Sequence, residues 1–126
     1  MELKAFEYEL PVHLIFGAGK AECIGKEVKK YGKKVLIVTG RGSTKHSGLL
    51  DRVEKLLEAE GLEHLLFDEV EPNPLASTAE KGAQIARENG CEAVLGLGGG
   101  SIMDCSKSIA FAALNEGKIF DYIYGK

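Results

Sequence analysis

Three short apolar runs, Val35-Leu36-Ile37-Val38, Leu65-Leu66-Phe67 and Ala93-Val94-Leu95-Gly96-Leu97, end at Gly40, Asp68 and Gly98. They recur at about 30 residues, the size of one βαβ unit. Between them lie longer segments of helical period. Leu49, Val53, Leu56 and Leu57 share one face of a helix that Gly61 caps in a left-handed conformation. Ala79, Ala83 and Ala86 form a flat stripe on the next helix, which opens at the capping box Ser77-Thr78-Ala79-Glu80 and stops before Gly90. A first helix from about Ala18 to Tyr31 ends at Gly32 in the same way, and a fourth runs from about Ser101 to Asn115. Strands and helices in this alternation predict an α/β domain, Rossmann-like and three-layered (αβα), around a mainly parallel sheet.

The flanks follow a different pattern. Phe6 to Leu10 and Val12 to Phe16 predict two extended pieces joined at Pro11, a hairpin or edge pair leading into the sheet. After the fourth helix, Lys118 to Lys126 carry Ile119, Phe120, Tyr122, Ile123 and Tyr124 with no evident partner. A residue set of this kind packs against something, so the chain is expected to stop short of a larger parent. No repeat beyond the βα period and no Pro- or Ser-rich linker marks an internal boundary, and residues 1–126 read as one domain.

Composition narrows the function classes. A length of 126 residues, 44% hydrophobic and 28% charged, suits one folded domain, and 16 glycines exceed the usual frequency of about 7%. A net charge of −3 from well-mixed charges does not supply the basic surface that nucleic acid requires, so no nucleic-acid partner is expected. Cys23, Cys91 and Cys105 form no C-x-x-C and have no His nearby, and they read as small buried hydrophobes in a reducing compartment. Met1 to Leu10 do not form a signal peptide, and no apolar run approaches the roughly 18 residues of a membrane span. A cytoplasmic protein without membrane contact is the expectation.

The sharpest chemical signal is Gly98-Gly99-Gly100-Ser101-Ile102-Met103-Asp104-Cys105-Ser106-Lys107, placed directly after a strand and opening a helix. Glycines there let backbone approach a ligand, and the free amides of the first helical turn, backed by the positive end of the helix dipole, suit a phosphate or diphosphate. The order is neither a Walker A loop nor G-x-G-x-x-G. Ser101-x-x-Asp104 also fits a bare capping box. Asp104 would repel a diphosphate and so suits a carboxamide or a ribose hydroxyl, with Lys107 one turn on able to pair with it.

Gly98-Gly99-Gly100-Ser101-x-x-Asp104-x-x-Lys107 after a strand resembles the dinucleotide motif of the iron-containing (group III) alcohol dehydrogenases. Leu10-Pro11-Val12-His13-Leu14-Ile15-Phe16-Gly17, Val38-Thr39-Gly40-Arg41-Gly42-Ser43 and Glu71-Pro72-Asn73-Pro74 resemble, in order, that family's amino-terminal strand, its first nucleotide-side loop and its Pro-Asn-Pro loop. The resemblance covers the whole chain and implies the amino-terminal domain of the dehydroquinate synthase-like superfamily, binding NAD or NADP. A helical domain holding Fe2+ or Zn2+ follows in family members, with ligands that map onto no residue here. His13, His46 and His64 match none of them. The implied partners are a nicotinamide dinucleotide and, in the full enzyme, a small alcohol or aldehyde.

The loop residues Gly40, Arg41, Gly42, Ser43 and Lys45 bear on cofactor choice, because the loop carries no acid and offers Arg41, Ser43 and Lys45 to a 2′-phosphate. The resemblance is closest to the NADPH-linked butanol dehydrogenase and aldehyde reductase branch, which favours NADP over NAD. Arg41 and Lys45 also read as solvated loop charges. Asn73 is expected at the adenosine end by resemblance, or as a plain turn residue; Gly99, Gly100 and Ser101 are expected on the diphosphate, and Asp104 towards the nicotinamide. The alternatives are a glycerol dehydrogenase-type relative and a non-catalytic nucleotide-binding or partner-docking module. The amino-terminal edge pair and the apolar tail make a homodimer a further expectation.

Overall fold

A computed structural model describes residues 4–123, with the side chains of Ser43 and Thr44 left undescribed. Three parallel strands, β1 (Lys34–Gly40), β2 (Glu63–Val70) and β3 (Ala93–Gly96), form a sheet in the order β2-β1-β3. Leu36 stands in register with Leu65 on one side and Val94 on the other. Helices α1 (Ile24–Lys29), α2 (Ser43–His46), α3 (Leu49–Ala59), α4 (Ala76–Glu88), α5 (Gly100–Leu114) and α6 (Ile119–Ile123) complete the described residues, with one 3-10 turn at Lys20–Cys23 ahead of α1. The Rossmann-like, three-layer reading of the sequence matches this architecture.

Central β1 explains the layers. Successive side chains of a strand point to opposite faces, and Val35, Leu36, Ile37 and Val38 are all buried. Leu36 and Val38 join Phe67, Ala79, Ala83, Ile102 and Ile109 in the core under α4 and α5, whereas Val35 and Ile37 join Val28, Leu50, Val53 and Leu57 under α1 and α3. The alanine stripe of α4 lets α5 approach closely. At Gly82 even a methyl group would lie 2.6 Å from Ile109 Cδ1.

The caps on α3 and α4 follow the sequence. Gly61 (φ 74°) and Gly90 (φ 65°) are left-handed, and the amides that follow, of Leu62 and Cys91, donate back to the carbonyls of Leu57 and Ala86. Other boundaries depart from expectation. The helix expected from Ala18 to Tyr31 is a 3-10 turn followed by the six residues of α1. Gly32 has no left-handed φ; what it supplies is space, since a Cβ there would meet Glu92 Cβ at 2.4 Å. The box expected at Ser77 does not cap α4, which begins at Ala76. Glu71 substitutes for it, its Oε1 accepting from the Leu75 amide at 2.8 Å and from Thr78 Oγ1 at 2.7 Å.

Phe6 to Leu10 and Val12 to Phe16 form no strand among the described residues, and Phe6, Tyr8, Leu10, Val12, Leu14 and Phe16 are exposed. A strand needs a ladder partner, and the described residues provide this segment with none. The tail finds a partial partner. Ile119 packs against the α4–α5 core, its amide donates to Glu80 Oε1 at 3.1 Å, and Tyr122 meets Phe111 edge-on at 5.0 Å. Phe120 and Ile123 stay exposed, and Tyr124 lies outside the described residues.

Candidate dinucleotide site

In open α/β sheets, ligands bind beyond the carboxyl ends of the strands where the connections diverge to opposite faces. Here that place lies between β3, which runs into α5, and β1, which runs into α2 and α3 on the other face. Gly40, Arg41, Gly42 and Lys45 fall at or beyond the end of β1, Asn73 beyond β2, and Gly98, Gly99, Gly100 and Ser101 beyond β3. The side chain of Ser43 lies outside the described residues.

The turn from β3 into α5 divides its glycines by role. A Cβ on Gly96 would stand 2.5 Å from Ser106 Oγ, and one on Gly98 would stand 2.6 Å from Ile102 Cγ1. Gly98 also holds φ 154°, which L side chains rarely adopt. These two glycines let α5 dock against the sheet, and Ser106 Oγ donates to the Ile102 carbonyl at 2.6 Å within that contact. Gly99 and Gly100 differ, since a Cβ on either would meet nothing within 4 Å. Gly99 is the N-terminal cap of α5, with no side chain capping it, and its carbonyl accepts the Met103 amide at 3.0 Å. The amides of Gly100, Ser101 and Ile102 thus precede the helical ladder, under open space and at the positive end of a 15-residue helix. Such an array fits a diphosphate.

At the β1 and β2 ends the chemistry is ionic. Lys45 donates to Asp68 in a salt bridge, and Arg41 lies near both Asp68 and Glu71. The hydrogen bond from Lys45 is the main reason the Asp68 carboxyl is held below its ordinary pKa. Glu71 is lowered first by its bond from the Leu75 amide and then by Thr78. Sequence reading places Asp68 at the end of the second apolar run and Glu71 in the Pro-Asn-Pro segment but gives neither acid a role, because it seeks an acid inside the β1 loop. An acid at the end of the second strand is the usual ribose ligand of a doubly wound sheet, and its position in β2 was the available signal.

The structure brings Asn73 and Asp104 to one cleft. Both line a cleft of about 370 Å³ together with Leu75, Ser108, Ile119 and Phe120. Asn73 holds φ 51°, a left-handed turn conformation that Asn tolerates. Asp104 and Lys107 are both exposed, and among the described residues no ion pair joins them. Water solvates each charge as well as the other would.

The iron-containing alcohol dehydrogenase family model matches residues 11–126. The chain belongs to this family. Across 94% of its length it is 47% identical to NADH-dependent butanol dehydrogenase B of Clostridium acetobutylicum, and it spans 30% of that relative. It is 34% identical to the 1,3-propanediol dehydrogenase of Citrobacter freundii, spanning 32% of it. The crystal structure of NADH-dependent butanol dehydrogenase A from Thermotoga maritima superposes with a TM-score of 0.87 at 40% identity, covering 93% of this chain and 30% of that one. The chain therefore spans about a third of the length of the relatives it matches.

For the metal that the family name implies, the described residues do not fit: no group of three or more His, Cys, Asp or Glu among them could hold an ion. His13 stands 3.7 Å from Glu27, His46 Nδ1 is 2.7 Å from the Gly42 carbonyl, and His64 lies 3.1 Å from Glu58. Burial pushes the thiols of Cys91 and Cys105 up, which keeps both protonated at neutral pH. No described helix is long and apolar enough to cross a membrane.

Proposed function

We propose that this chain is the dinucleotide-binding part of a metal-dependent, NAD(P)-linked alcohol dehydrogenase or aldehyde reductase. Gly99, Gly100 and Ser101 take the diphosphate on their backbone amides, the β1 loop with Asp68 faces the adenosine ribose, and Asp104 and Asn73 offer polar groups from the neighbouring cleft. Bound there, a nicotinamide supplies hydride chemistry with a small alcohol or aldehyde. The residues of this chain bind and orient it. No described residue is assigned a catalytic role.

The observation that carries this reading is the uncapped, open amino terminus of α5 at the carboxyl end of β3. Resemblance of the β1 loop to NADPH-linked relatives favours NADP, with Arg41, Ser43 and Lys45 offered to its 2′-phosphate. Lys45 is paired with Asp68, which leaves Arg41 as the loop cation offered to a 2′-phosphate.

The test is a titration of the purified chain with NADH and NADPH, followed by nicotinamide fluorescence, beside the variant Gly99→Leu. Gly99 has extended backbone (φ −84°, ψ −164°) and open space around its Cβ position, so leucine is accommodated by the fold and stands where the diphosphate would. Binding by the parent chain, weakened about tenfold or more by leucine, is expected. Equal binding by both chains would contradict the site.

A further inference from the structure

The Lys45–Asp68 ion pair joins residues 23 positions apart that no local pattern associates. Lys45 comes from α2 beyond β1, and Asp68 from the carboxyl half of β2. Both side chains are about two-fifths exposed, so they form part of the edge surface and not of the core. Glu71 is committed to Leu75 and Thr78, which leaves Asp68 as the carboxylate that answers the cations of the loop.

Strand order sets where this pair meets a ligand. With a diphosphate on the first turn of α5, the end of β1 lies one strand spacing away, about 4.8 Å, and the end of β2 about twice that. An attached ribose covers the first of these spacings, and the Lys45–Asp68 pair bridges the second. We propose that the Lys45–Asp68 pair determines cofactor specificity, holding the second cation of the loop away from the ribose 2′ position and setting a carboxylate there, so that the chain takes NAD in preference to NADP. The proposal rests on the dinucleotide site assigned to this edge.

The chemistry discriminates in two ways. A 2′-hydroxyl can donate to the Asp68 carboxylate, as riboses do to the acid of doubly wound sheets. A 2′-phosphate brings about two negative charges. To bind, it must draw Lys45 from Asp68 and then face that carboxylate unpaired, with like charges opposed. Arg41 and Lys45 together balance Asp68 and Glu71, so the loop carries no surplus positive charge for the phosphate.

The experiment is a calorimetric titration with NADH and with NADPH at one fixed salt concentration, since these charges are screened, for the chain itself, Asp68→Asn and Asp68→Asn/Lys45→Ala. Tighter binding of NADH by the unmodified chain is expected. Asp68→Asn should improve NADPH affinity about tenfold, the effect of one charge contact, with NADH changing by less than about threefold. The double variant should keep only the part of that gain that comes from removing the carboxylate and lose the part supplied by freed Lys45. Stronger NADPH binding by the unmodified chain, or an Asp68→Asn change that moves both cofactors equally or neither, overturns the proposal while leaving the dinucleotide site standing. Absence of binding by either cofactor to the unmodified chain overturns the site and the proposal with it.

Discussion

The two ends of the sheet's carboxyl edge are built by opposite means. At β3 and α5 the candidate ligands are backbone amides, with no charged side chain capping the helix, and the geometry comes from glycines that let α5 sit close to the strand. At β1 and β2 the candidate ligands are side chains, among them the ion-paired Lys45 and Asp68. The first end is rigid because its positions are fixed by packing; the second depends on solvent and salt because its groups are exposed. A phosphate group shared by both cofactors suits the first, and discrimination between cofactors suits the second.

One substitution made twice should separate packing from binding within the glycine run. Gly96→Val places carbon atoms into Ser106 and is expected to cost about 2 to 3 kcal/mol of stability by overpacking, read as a shift in denaturation midpoint. Gly99→Val meets open space and should leave stability within about 0.5 kcal/mol while weakening dinucleotide binding. Equal destabilisation at both positions would erase the distinction drawn between the glycines.

A smaller effect is expected at the charged end. Glu71→Gln keeps an acceptor for the Leu75 amide but loses the charge, so α4 should fray at its first turn, visible as faster amide exchange at Leu75 and Thr78 with the core unaffected. Unchanged exchange there would show that Glu71 is not the cap of α4.

The smallest effect is the pH dependence. Asp68 and Glu71 are held below their ordinary values of 3.8 and 4.5, so their folded pKa values lie under the unfolded ones. Their contribution to stability is full above those ordinary values and is lost as pH falls through the depressed ones. Denaturation midpoints measured downward from neutral pH should decline in that acid range, and less steeply in Asp68→Asn. Because both groups are only half-buried, the difference should be modest. An identical acid limb in parent and variant would remove the ion pair from the account of stability.

The strands, α3, α4 and α5 were legible because each depends on a local pattern: an apolar run, a stripe such as Ala79-Ala83-Ala86, or a glycine such as Gly61 or Gly90 that only a left-handed cap requires. The candidate site at the start of α5 could be picked out for the same reason, since it is one continuous segment from Gly98 to Ser101. What sequence did not disclose is non-local. Asp68 reaches Lys45 across 23 positions, and Gly32 is small because of Glu92, 60 positions on. Phe6 to Phe16 shows the converse, an extended pattern without a strand, because a local pattern supplies the alternation and not the partner.

The most direct test of the dinucleotide site is an amide NMR titration of the isotopically labelled chain with NADH. Shifts concentrated at Gly99, Gly100, Ser101 and Ile102, with a second set at Arg41 and Asp68, are the predicted result. Shifts confined to the cleft lined by Leu75, Ser108 and Ile119, or none at the start of α5, would contradict it.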